Sequence, residues 1–156
     1  MFYASDLFSL ERMKTKTASE RRSDCPISVT LEALGDSWSL LIVRDLMFFG
    51  RKSYNEFLNT GEKIATNILA DRLQRLETSG IIVKQRDPGD ARRYIYRLTE
   101  KGIDLAPMLV EVVLWAARHE SADAPPGVIE QIQADKDRFI SRVREIWAAA
   151  NTLEKV

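Results

Sequence analysis

Residues 50–102 read GRKSYNEFLNTGEKIATNILADRLQRLETSGIIVKQRDPGDARRYIYRLTEKG. Ser53-Tyr54-Asn55-Glu56 has the form of a capping box, in which serine and glutamate satisfy each other's open backbone donors. Tyr54, Phe57 and Leu58 follow at i, i+3 and i+4, so a short helix turns one side to the core. Thr60-Gly61 makes a turn. A second helix is predicted from about Ala65 to Ser79, stopped by Gly80. On a 100° wheel, Ala65, Leu69, Leu73 and Leu76 share one line. Asn67, Ala70, Asp71, Gln74, Arg75 and Thr78 lie opposite, with Arg72 near the boundary. Ile81-Ile82-Val83 starts a strand, and Asp87-Pro88-Gly89-Asp90 is turn chemistry. Tyr94, Tyr96 and Leu98 alternate with Arg93, Ile95 and Arg97, which gives the return strand an apolar face and a basic face. Two helices, a hairpin and a further helix, in that order, spell a winged helix-turn-helix. The fold expected is mainly α with a small β-hairpin wing. Its common use is to set one helix in the DNA major groove and a basic hairpin on the backbone beside it.

Upstream, Pro26 suits the first turn of a helix, where its missing N–H is no loss. Ile27, Thr30, Leu31 and Leu34 continue at helical spacing up to Gly35. Asp36 is placed to cap a helix over Ser37 to Phe49 that has little polar surface and should be buried on most sides. Residues 1–24 read as a lead or arm that can hold a short helix near its start. Downstream, Thr99 should cap a long helix in which Pro107 makes a kink or sits in the first turns. Ala124-Pro125-Pro126-Gly127 breaks the chain. A last helix is expected over about 128–150, with a stripe of Ile132, Phe139, Val143, Ile146 and Ala150 of roughly the coiled-coil kind. The division expected is 1–24, 25–119 and 120–156, the last a dimerisation segment.

The bulk properties are those of one globular domain: 156 residues, 45% apolar and 29% charged. The net charge is zero, but residues 51–97 hold ten Lys/Arg against six Asp/Glu, and the remainder carries the balancing excess of acid. A basic segment so placed is an electrostatic footprint for DNA, although a solvated face gives the same count. No apolar run is long enough to span a bilayer, and the N-terminus lacks a secretory pattern. One cysteine allows no internal disulfide and suits a reducing cytoplasm. One cysteine and one histidine make no metal set. No dinucleotide, phosphate-loop or nucleophile-elbow pattern occurs. Neither an enzyme nor a cofactor is expected.

The candidate interface centres on the 65–79 helix, where Asn67 and Gln74 can bond adenine edges and Thr66 can touch a thymine methyl or a phosphate. Ala70 and Arg75 share that outward face. Asp71 either accepts from a cytosine amine or pairs with Arg75. Arg51, Lys52 and Lys63 flank the helices and suit phosphate, and Arg92 and Arg93 sit at the tip of the 81–98 wing. Arg72 is either a phosphate anchor or a structural ion pair. Cys25 precedes a helix, where the macrodipole favours thiolate; the alternative is a small buried apolar residue. Trp38, Trp115 and Trp147 suit core or dimer packing, and an apolar pocket between the dimer and DNA-binding helices would admit a small aromatic effector.

Several phrases resemble the HxlR family of bacterial regulators, relatives of the MarR winged-helix group. They are Cys25-Pro26, Leu34-Gly35-Asp36-Ser37-Trp38, Leu41-Ile42-Val43-Arg44-Asp45-Leu46, Phe57-Leu58 and Ile64. Leu69-Ala70-Asp71-Arg72-Leu73, Leu76-Glu77, Gly80-Ile81-Ile82 and Tyr94 to Thr99-Glu100-Lys101-Gly102 complete the set. They span about residues 25 to 119 in order. The resemblance implies a homodimer on double-stranded DNA, held by its outer helices, with a cysteine at this place acting as an oxidant or electrophile sensor in several members. The chain departs from the pattern in its lead, in its helix after Gly127, and in Ala65 where a capping serine is common, which leaves Thr66 to cap. Other readings are a winged-helix module for protein contact and a small thiol-dependent enzyme.

Overall fold

The computed structural model describes residues 21–153. The optional helix near the start of the lead lies outside them. Eight helices and a two-stranded antiparallel sheet occur among the described residues. The first is α1, Pro26–Leu34, with the proline in its opening turn as expected. α2, Ser39–Phe48, has no exposed position along its length and forms the centre of the core. Asp36 does cap its start, accepting from the amides of Trp38 at 2.8 Å and Ser39 at 3.0 Å.

α3, Tyr54–Leu58, carries both halves of the predicted capping box. α4, Thr66–Thr78, buries Leu69, Leu73 and Leu76 almost completely. β1, Ile82–Asp87, and β2, Asp90–Leu98, pair from Ile82↔Leu98 out to Asp87↔Asp90 around Pro88-Gly89. An isolated bridge, Ser53↔Ile95, adds a rudimentary third strand at the base of the hairpin. The Tyr96 amide donates to the Lys52 carbonyl at 2.7 Å there, which ties the entry of α3 to the wing.

Four expectations are corrected. Thr66 does not cap α4: Ala65 stands at the N-cap and no side chain bonds the open amides. The face of β2 expected to be basic contains Ile95, buried at 1% exposure where Ser53 closes over the sheet, while Tyr94 on the other face is exposed. The long helix after Thr99 is two helices, α5, Glu100–Ile103, and α6, Ala106–His119, with Pro107 in the first turn of the second. The last helix is also two, α7, Val128–Ala134, and α8, Lys136–Leu153. Asp135 separates them in extended backbone and its side chain accepts from the Arg138 amide at 2.9 Å. A polar residue that fits the solvent side of a continuous helix here serves as a cap instead.

α7 and α8 pack on the rest of their own chain. Ile132 is buried, Phe139 meets Phe48 at 6.4 Å between ring centres, and Trp147 donates to the Leu98 carbonyl at 2.9 Å. Lys136 with Glu111 and Arg144 with Asp104 add exposed ion pairs, each of small worth in water. No helix of the described residues is long and apolar enough to cross a membrane.

Candidate nucleic-acid interface

The outward side of α4 is bare. Thr66, Asn67, Ala70, Asp71, Gln74, Arg75 and Thr78 are all exposed. The leucine side fixes this orientation, because turning the helix would bring those leucines into water at about 2 kcal/mol each. The Tyr54 hydroxyl donates to the Thr66 carbonyl at 2.7 Å, which seats the first turn on α3. At the far end the Lys101 ammonium donates to the Ser79 carbonyl at 2.7 Å, where cationic charge suits the helix dipole.

Arg72 faces inward. Its Nε lies 3.0 Å from Asp36 Oδ1, off line for a hydrogen bond, so the contact is an ion pair. Its Nη1 meets Asp71, which therefore pairs with its neighbour and not with Arg75. Burial works against charge on Asp36. The Ser39 hydroxyl, the Trp38 and Ser39 amides and Arg72 outweigh it and hold the Asp36 carboxyl below the usual range. Through Asp36, α4 is thus latched to the start of α2. Arg75 has no such partner among the described residues and points to solvent.

Arg51 is likewise engaged. Asp45, buried on α2, accepts from Arg51 at 3.0 Å and from Arg44 at 2.8 Å, and Arg44 reaches on to Glu62 at 2.8 Å. Both guanidiniums also lie over the Phe49 ring. Lys52 and Lys63 are exposed on either side of α3. Lys63 has left-handed backbone, φ 57°.

On the wing, Arg92 and Arg93 are exposed, and Arg92 contacts Asp90 at 3.2 Å. Two further cations escaped the sequence reading. Lys84 lies 4.3 Å and Arg86 4.1 Å from the centre of the Tyr94 ring, stacked on the face thought to be purely apolar. The pairing Arg86↔Tyr94 makes them cross-strand neighbours. The signal was available as alternation in Lys84 and Arg86, once the hairpin register is known.

Cys25 is exposed at the N-cap of α1. The amides of Ser28 and then Ile27 hold its thiol below its ordinary pKa. Neither completes a capping hydrogen bond, so the influence is that of the helix start as a positive end.

An outward helix beside a two-stranded basic hairpin, both anchored on a buried central helix, defines a winged helix-turn-helix protein. The chain belongs to the HxlR-like helix-turn-helix family, whose model matches residues 33–124. It is 35% identical over 86 residues to the uncharacterized HTH-type transcriptional regulator sll1512 of Synechocystis, covering 55% of this chain and 63% of that protein. It is 37% identical over 93 residues to the HTH-type transcriptional regulator YodB of Bacillus subtilis, covering 59% and 82%. The reduced form of YodB superposes with a TM-score of 0.53 over 64% of this chain and 98% of that one, at 35% identity. The redox regulator HypR in its oxidized form gives 0.55 over 64% and 100%, at 28% identity.

Proposed function

We propose that the chain is a sequence-specific DNA-binding transcriptional regulator, a repressor acting as a homodimer in the cytoplasm. The observation that carries this reading is the exposed polar side of α4, held outward by a fully buried leucine side. Asn67 and Gln74 read base edges, and Thr66, Ala70 and Arg75 line the same surface. Lys52, Lys63, Arg92 and Arg93 contact phosphates, joined by Lys84 and Arg86. Arg51 and Arg72 serve first as internal ties, which position α3 and α4, and contribute to phosphate attraction through their remaining donors. Ile27 and Leu31 on α1 and Trp115 on α6 are large apolar side chains left exposed, and they supply the face for a second copy. The two α4 helices then enter successive major grooves about 34 Å apart.

Fluorescence anisotropy with duplexes selected from a random library tests this. Arg92→Ala with Arg93→Ala weakens binding to every sequence and lowers the salt slope by about one to two units. Asn67→Ala relaxes base preference and leaves the slope alone. An unchanged slope in the wing variant contradicts the placement of the hairpin on DNA.

The exposed, activated Cys25 favours a thiol-responsive form of the same function. Only the thiolate is nucleophilic, so alkylation by iodoacetamide should rise with pH to a midpoint below 9.0, the ordinary value. Alkylation or a quinone should then reduce operator affinity, and Cys25→Ser should not respond. DNA affinity that is indifferent to modification removes the sensing role and leaves DNA binding untouched.

A further inference from the structure

The family match ends at residue 124, so α7 and α8 lie outside it. Along α8, Phe139, Val143, Trp147 and Asn151 are half-buried and follow one another at four-residue spacing, which sets them on one line. Ile146 and Ala150, expected in the apolar stripe, are exposed instead. The line leads from α2 to the wing. Phe139 meets Phe48 at the end of α2. Two turns further on, the Trp147 indole N–H donates to the Leu98 carbonyl at 2.9 Å, and the Arg97 guanidinium donates to the Asn151 side-chain oxygen at 3.3 Å. Alternate residues of an antiparallel strand turn their backbone groups to opposite sides. The Thr99 amide donates to the Ile81 carbonyl on the β1 side, so the Leu98 carbonyl points away from β1. On that same outer edge the Tyr96 amide donates to the Lys52 carbonyl. The base of β2 is therefore held at its outer edge by the entry of α3 and by α8.

A hairpin fixed at its base is a lever. β2 has nine residues, so at about 3.3 Å per residue its tip lies about 25 Å from Leu98. A tilt of about 10° at the base then moves Arg92 and Arg93 by about 4 Å, more than the length of a hydrogen bond to phosphate. α4 is referred to the same frame, because Arg72 and Asp36 latch it to the start of α2. α8 thus joins the helix that holds α4 to the strand that carries the wing. We propose that α8 is a strut for the wing, and that Trp147 and Asn151 are positioning residues that fix the inclination of the hairpin to α4. Neither touches DNA; they act through Leu98 and Arg97. The consequence for DNA rests on the function proposed above.

Trp147→Phe combined with Asn151→Ala removes both bonds to β2 and keeps an aromatic ring in the packed position. Amide hydrogen exchange of the full chain, free of DNA, tests the strut. Exchange along β2 should rise at least tenfold in the double variant, while the amides of α4 from Leu69 to Leu76 keep their protection. Unchanged exchange in β2 overturns the proposal. So does an equal rise in β2 and α4, which marks a general loss of stability. Anisotropy with the duplexes selected by the unaltered chain tests the consequence. The salt slope should fall by about one unit or more as wing contacts are lost, and base preference should stay as it was. A merely structural role would reduce the fraction of active protein and leave the slope alone, so an unchanged slope overturns the positioning role. Faster exchange in β2 of a chain that in its unaltered form never binds DNA sustains the strut and overturns the regulator.

Discussion

Lys63 occupies the turn into α4 with φ 57°, a conformation that costs a non-glycine residue about 1 kcal/mol or more. Glycine would relieve the strain but give back about 0.5–1 kcal/mol in chain entropy. Lys63→Gly should therefore alter the free energy of unfolding by less than about 1 kcal/mol in urea denaturation, while removing the phosphate contact proposed for this residue. Binding to all duplexes should weaken and the salt slope fall by about one unit. A variant that binds DNA as before would show that the lysine serves only the turn. Arg72 illustrates the opposite case. Its place near the edge of the apolar face was legible from the wheel, but its partner Asp36 lies far off in the chain, and periodicity carries no information about such a pair. The same holds for Arg51, whose tie to the buried Asp45 no local pattern announces.

At the level of elements, the junction of the wing with the C-terminal helices depends on Gly102. A methyl group there would lie 2.2 Å from the Ile81 carbonyl oxygen and 2.9 Å from Leu98 Cδ2. The backbone oxygen cannot swing aside, so Gly102→Ala should push α5 off the hairpin. We expect a loss of about 1–3 kcal/mol or more in unfolding free energy, read by thermal or urea denaturation. Unchanged stability would mean that α5 does not press on the sheet in solution. The helices and hairpin that make the proposed interface were legible because each has a local cause: leucines at helical spacing in α4, a capping box at α3, and Asp-Pro-Gly-Asp at the wing tip. The breaks at Asp104-Leu105 and Asp135 were not. Pro107 is compatible with the first turn of a helix, and Asp135 matches the polar side of a continuous one, so the apolar stripe runs unbroken through both. The inward turn of Ile95 was hidden for another reason. Its cover, Ser53, comes from a two-residue bridge that no alternation in either segment encodes.

At the scale of the molecule, charge and shape divide the labour. The basic segment from Arg51 to Arg97 supplies the wing and the surroundings of α4, and the acidic excess lies in the rest of the chain. A neutral protein can in this way attract DNA on one side only. The C-terminal helices complete the body of the protomer, while α1 and α6 carry exposed apolar side chains, the face proposed for a second copy. Two-fold pairing would set both α4 surfaces on one face of the duplex. The claim on which all of this depends is that the outward side of α4 reads base pairs. Hydroxyl-radical footprinting of a duplex selected by the protein from a random library measures it directly. The account predicts two protected tracts centred about one helical turn, or 10 base pairs, apart, with the selected bases scrambled when Asn67→Ala and Gln74→Ala are combined. Selection that yields no common sequence, or protection unchanged by those two substitutions, would contradict it.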